Sequence, residues 1–523
     1  MTKRVVFVAT LAFVSVLRAV VPEPVRTDAG LLSGTSAAAP GVRVFKGIPF
    51  AAPPIGELRW RAPEPVTKWT GVRSADKFGN VCVQPKGVGR LNITVDLPDS
   101  PAASEDCLYL NVWTASPSSS DRRPVMFWIF GGAYAEGAGS SPHTDGEALA
   151  RQGAVVVTFN YRLGPFGFFS HPELTKESGR SASGNQALMD AIAALKWVET
   201  NIAAFGGDPR NVTIFGESAG AAIAAGLVAS PQTSGLFRRA VSESGAWMGL
   251  GVAGMRTRQQ AEQPTGRRGA PPPVPTPLAE LREKSTEEIS RTLTGAGMIV
   301  DGWIIREDAS LTFAQGRQQP VDVLIGSNKD EGAFAGNTAA VAWTNRVRQR
   351  WGDLADDYLK LYPAGGDEEA TRSSRMAFRD ELAWHMRLYA SLQVKRGNRA
   401  YWYFFTHEPP YAPDARNLKA THAVEIPYVF NNLRAPRVFP DTSSPELASS
   451  SASERAFAER VSSYWLNFAR DGDPNGTGLP RWPAFSDANA APMILGEIKE
   501  TPDPQRLVIY HKLYAKILAG LKE

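Results

Sequence analysis

The chain has 523 residues, and 57 basic against 53 acidic side chains leave a formal net charge of +4. Apolar residues make up 43% and charged residues 21%, ordinary globular usage that excludes global disorder. So small a charge without a long basic run excludes a nucleic-acid footprint, and six histidines with two cysteines leave no zinc-finger spacing.

At the amino terminus Lys3 and Arg4 precede an uncharged stretch from Val5 to Leu17, followed by the small residue Ala19. At about 1.5 Å per residue that stretch is too short to cross a bilayer, and its layout predicts a secretory signal over residues 1–19. No other apolar run is long enough for a membrane span. Residues 20–523 are expected to form one domain. Cys82 and Cys107 are the only cysteines. In an exported protein such a pair is expected to be bonded; in a cytosolic one it would be two buried thiols.

Residues 125–130 (VMFWIF) predict a strand that ends in Gly131-Gly132-Ala133-Tyr134. Small residues there let backbone amides approach a substrate oxygen, which nominates the N–H groups of Gly132 and Ala133 as oxyanion donors. Residues 155–160 predict a second strand. Gln186–Asn201 predicts a helix, since Leu188, Ile192, Leu195 and Val198 recur at spacings of three and four. Residues 212–215 (VTIF) then run straight into Gly216-Glu217-Ser218-Ala219-Gly220, and residues 219–230 read as a helix of small residues. Strand, sharp turn and helix are what a nucleophile elbow needs, with Ser218 at the bend and Ala219 N–H as a third oxyanion donor.

Residues 256–277 are basic, proline-rich and without apolar periodicity, and predict an exposed, mobile excursion. The next strand, 323–325, leads into Gly326-Ser327-Asn328-Lys329-Asp330-Glu331-Gly332. It offers two carboxylates, Asp330 and Glu331, at its end. After a strand at 401–405 come two histidines, His407 and His422. A serine hydroxyl needs a base to take its proton, and in this topology acid and histidine follow it in chain order. The residue pattern leaves both pairs open. Residues 442–453, rich in Ser, Pro and Glu, predict a second loop. Continuous apolar strands alternating with helices predict an α/β fold with a large, mostly parallel sheet covered on both faces.

Several long motifs, in order, resemble the type-B carboxylesterase family: FKGIPFAAPPIGELRW from Phe45, SEDCLYLNVW from Ser104, NYRLGPFGFF from Asn160, FGGDPRNVTIFGESAGA from Phe205, GSNKDEG from Gly326 and HAVEIPYVF from His422. The resemblance implies an α/β-hydrolase fold with loops and helices inserted over the active site, and a serine esterase acting on small-molecule esters without a metal or organic cofactor. It implies a triad of Ser218, Glu331 and His422, a supporting role for Glu217, and a Cys82–Cys107 disulfide. A lipase or acyltransferase with the same triad, and a non-catalytic adhesion protein on the same fold, are the rival implications.

Two features depart from the family. Gly131-Gly132-Ala133 stands where three glycines are usual, so the Ala133 methyl group is expected to crowd the site against tertiary-alcohol esters. Residues 256–277 replace what is usually a helix, which bears on substrate range. Between Cys82 and Cys107 there is no Trp, Tyr or Phe to face a quaternary ammonium, so choline esters are not the expected substrates.

Overall fold

The structure, a computed structural model, describes residues 21–85, 101–246, 248, 254–263, 275–295, 297–411, 416–434, 451–486, 488–497 and 499–520. The segment read as a signal, most of the loop at 442–453 and residues 264–274 of the proline-rich excursion lie outside them.

The continuous apolar runs become the centre of a ten-stranded sheet. Its strands are β1 (Thr35–Ser36), β2 (Arg43–Pro49), β3 (Tyr109–Thr114), β4 (Arg123–Ile129), β5 (Val155–Phe159), β6 (Gly207–Glu217), β7 (Arg239–Glu243), β8 (Asp322–Asn328), β9 (Ala400–Phe405) and β10 (Met493–Leu495). Their spatial order is β10-β9-β8-β7-β6-β4-β5-β3-β2-β1. From β10 to β5 every pairing is parallel. β3, β2 and β1 extend the sheet in antiparallel fashion. Strands β5 and β9 are buried along their whole length, as strands covered on both faces must be.

The predicted helix α1 spans Gln186–Asn201, and the small-residue helix α2 spans Ala219–Ala229. Helix α2 is buried nearly all round, which explains its composition: alanine and glycine let it lie close on β6 and β7. Three long helices went unpredicted: α3 (Asp367–Lys395) against β8 and β9, α4 (Ala452–Asp471) against β4 and β6, and α5 (Pro504–Gly520) against α3. Helix α4 begins inside the serine-rich stretch read as a loop, because the Ser451 hydroxyl accepts from Glu454 N–H and caps it. At the edges of the proline-rich segment, Arg258–Glu262 is a short helix with a Thr257–Gln260 capping box, and Leu278–Glu283 is another. Cys82 and Cys107 are joined in a disulfide.

The parallel strands share one carboxyl edge. The turns that follow β4, β6, β8 and β9 there carry Gly132, Ser218, Glu331 and His422, the usual place for a site in an α/β sheet.

Candidate active site

Strand β6 delivers Glu217 and Ser218, and helix α2 starts at the next residue. The bend forces Ser218 to φ 56° and ψ −121°, a left-handed φ that costs a side-chain-bearing residue on the order of 1 kcal/mol. Its N–H donates to the Glu243 carbonyl at 2.8 Å, fixing the bend against β7. A Cβ on Gly216 would lie 2.6 Å from the Ile129 carbonyl oxygen, and one on Gly220 only 2.0 Å from it. The two motif glycines therefore let the elbow press against β4.

The loop after β8 and the loop bearing His422 are tied together by hydrogen bonds to the backbone. Asp330 N–H donates to the Ala420 carbonyl at 2.9 Å, and Asn328 Nδ2 donates to the Thr421 carbonyl at 2.8 Å. This backbone register leaves Glu331 pointing inward. Glu331 Oε1 accepts from Asn328 N–H at 2.8 Å, and Oε2 lies 2.6 Å from His422 Nδ1. On the other side of the ring, Nε2 lies 3.1 Å from Glu217 Oε1, without hydrogen-bond alignment. Phe334 packs on the imidazole with ring centres 5.6 Å apart.

Ser218 and His422 line one cavity of about 80 Å³, together with Gly131, Gly132, Glu217 and Phe334. Gly131 abuts the serine so closely that a Cβ there would fall 3.1 Å from Ser218 Cβ. Gly132, Ala133 and Tyr134 all have positive φ, 108°, 52° and 62°, which makes this a tight turn. Among the described residues the N–H groups of Gly132 and Ala133 donate to nothing. That of Ala219 opens helix α2, where first-turn donors have no acceptor within the helix. Gly132 lines the cavity; Ala133 is exposed and is not among its lining residues.

His407 is held elsewhere, with Nδ1 2.9 Å from Glu497 and Nε2 3.1 Å from Glu454, and its ring packs on Phe457. Asp330 pairs with Lys329 at 3.0 Å. Neither reaches the serine's cavity. Among the described residues no group of three or more His, Cys, Asp or Glu side chains is placed to hold a metal ion, and no helix is long and apolar enough to cross a membrane.

The sequence and the fold have known counterparts. The model of the carboxylesterase family matches residues 22–508. The chain belongs to the carboxylesterase family. As a member it is a serine-type carboxylic-ester hydrolase, and its α/β-hydrolase fold follows that of solved esterases. A para-nitrobenzyl esterase structure superposes with a TM-score of 0.76 at 32% identity, covering 94% of this chain and 99% of that one. A carboxylesterase of Geobacillus stearothermophilus gives 0.74 at 34% identity, covering 93% and 99%. In sequence, the fumonisin B1 esterase of Sphingopyxis macrogoltabida is 35% identical over 486 residues, 89% of this chain and 85% of that protein. The para-nitrobenzyl esterase of Bacillus subtilis is 35% identical over 512 residues, 92% and 96%.

The esterase gathers carboxyl groups around its histidine to a degree the motifs do not reveal. Glu243 and Glu425 join Glu217 and Glu331 as buried carboxylates. Glu243 Oε1 accepts from Trp465 Nε1 at 2.8 Å, and Glu425 Oε2 from Asn328 Nδ2 at 2.5 Å. Burial pushes Glu217, Glu243 and Glu425 above the usual carboxylate range; neighbouring carboxylates add to it, while His422 opposes it at Glu217 and hydrogen bonds oppose it at Glu243 and Glu425. Burial alone would lower His422, but attraction to Glu217 and then Glu331 outweighs it and the imidazole is raised.

A prediction follows for Glu217→Gln. Removing that charge lowers the His422 pKa, so the neutral, proton-accepting ring persists to lower pH. The acid limb of the kcat/KM profile should move to lower pH. A limb that stays in place would show that Glu217 does not act through the ring.

Proposed function

We propose that Ser218 is the nucleophile, His422 its general base and Glu331 the triad acid. The amides of Gly132, Ala133 and Ala219 form the oxyanion hole. The observation that carries this reading is the 2.6 Å contact between Glu331 and His422 Nδ1, which turns the other ring nitrogen toward the cavity that Ser218 lines. His422 Nε2 takes the hydroxyl proton as Ser218 Oγ attacks the ester carbonyl. Glu331 stabilises the imidazolium that results, and the three N–H groups hold the developing oxyanion. His422 then gives the proton to the departing alcohol. Water, activated by the same ring, releases the acid from Ser218. The Ser218 hydroxyl makes no hydrogen bond among the described residues, in keeping with catalytic contacts that tighten only once substrate is bound.

The reading extends to one hydrolase domain from residue 20 onward that takes small-molecule esters rather than nucleic acid and is exported after loss of residues 1–19. Sequencing of the mature amino terminus checks the last point. A fluorophosphonate probe tests the nucleophile: one equivalent should attach, and peptide mapping should find it on Ser218. Attachment elsewhere would overturn the assignment.

Ala133 bears on specificity. Ala133 sits on a left-handed turn next to Gly132, which lines the cavity. Ala133→Gly should raise the rate on tertiary-butyl acetate relative to n-butyl acetate, and glycine accepts φ 52° without strain. An unchanged ratio of the two rates would refute the crowding role.

A further inference from the structure

The loops that carry Glu331 and His422 wall a second, larger cavity of about 520 Å³. Among the described residues its lining holds six cationic side chains, Lys329, Arg372, Arg375, Arg379, Arg416 and Lys419, and one carboxylate, Asp330. The two cavities adjoin at the loops that carry Glu331 and His422, though no residue lines both. Ala333 lines the basic cleft while the next residue, Phe334, lines the Ser218 cavity and packs on His422. Leu418 and Lys419 line the cleft, and His422 and Ala423 line the other.

Part of this charge is already committed. Lys329 pairs with Asp330 and Glu408, Arg372 with Glu368, and Arg379 with Asp380 and Glu500. Arg375 and Lys419 form no ion pair among the described residues. One Arg375 nitrogen, Nη2, donates to the Ala335 carbonyl at 2.7 Å, while its Nε is buried without an acceptor. An unsatisfied buried guanidinium donor is costly, and a planar carboxylate is the partner its fork fits best.

We propose that this cleft receives a carboxylate carried by the ester substrate, so that the enzyme favours acidic esters, such as half-esters of dicarboxylic acids, over neutral ones of equal length. The inference rests on the hydrolase reading above and adds the substrate class. Arg375 and Lys419 are the specificity residues. Met376 and Leu418 in the same lining offer apolar contact to the methylene chain between the two acyl ends.

The test compares 4-nitrophenyl hydrogen glutarate with 4-nitrophenyl pentanoate on the full chain. At low ionic strength the glutarate should have the higher kcat/KM, and added salt should erode the preference. Arg375→Gln and Lys419→Gln should each cut kcat/KM for the glutarate by about tenfold while changing the pentanoate by less than about twofold. Equal losses on both esters in both variants, or no preference in the parent, would overturn the proposal. Free glutarate should compete with the acidic ester; if it binds while the acidic ester gains nothing, the cleft serves a free anion and the proposal fails. Inactivity toward both esters would instead count against the hydrolase reading.

Discussion

Ser218→Ala is expected to lower kcat for a nitrophenyl ester by about a millionfold and to abolish fluorophosphonate labelling. Without the hydroxyl there is no acyl-enzyme. What remains is the catalysis that preorganised amides and substrate binding give to attack by water, itself about a thousandfold or more over solution. The fold should be indifferent to the change. Ser218 holds φ 56° through its backbone bond to Glu243, and alanine meets the same strain as serine there. Its hydroxyl makes no hydrogen bond among the described residues, so stability should shift by less than about 0.5 kcal/mol. Unfolding midpoints measured beside the rates separate chemistry from folding. A variant that keeps its midpoint and more than about a tenth of parental kcat would remove Ser218 from the mechanism.

The strand–turn–helix at Ser218 was legible because buried parallel strands are continuous apolar runs and the elbow's glycines are dictated by contact with Ile129. Helix α1 was legible to its ends, since its apolar stripe faces the sheet and polar residues bound it. Strand β6 was seen only from Val212 because Asp208, Pro209, Arg210 and Asn211 interrupt the run, and the structure accommodates them as an irregularity in register. Helix α3 hid for another reason: many of its side chains are charged and face outward, so composition masked its buried stripe.

Within the site, adjacent carboxylates such as Asp330 and Glu331 cannot be told apart by local pattern. The pairing of Asp330 with Ala420 and Thr421 turns Glu331 inward and Asp330 toward Lys329, a difference that only the tertiary fold makes. Glu243 lies on a strand of no motif, and Glu425 had no assigned role within H-x-x-E. Only the tertiary fold brings them behind His422. The basic cleft is likewise assembled from α3 and the two triad loops, so no single window of sequence shows it.

The same loop geometry sets the second large effect. Glu331→Gln is expected to reduce kcat/KM by about 10³- to 10⁴-fold, the scale of losing a triad carboxylate while its shape is kept. The amide can still accept from Asn328 N–H, so the loop should stand, but it carries no charge to stabilise the imidazolium formed when Ser218 gives up its proton. Removing that carboxylate also withdraws one of the groups that raise His422, so the remaining activity should show its acid limb at lower pH than the parent. Asp330→Asn is the matched control one residue away. It loses the Lys329 ion pair and weakens the bond from Ala420 N–H, contacts worth about 1 kcal/mol, and should leave kcat/KM within about tenfold of the parent. If the two variants fold equally well and Asp330→Asn proves the more damaging, the acid has been misassigned, and the 2.6 Å contact to His422 would then be structural.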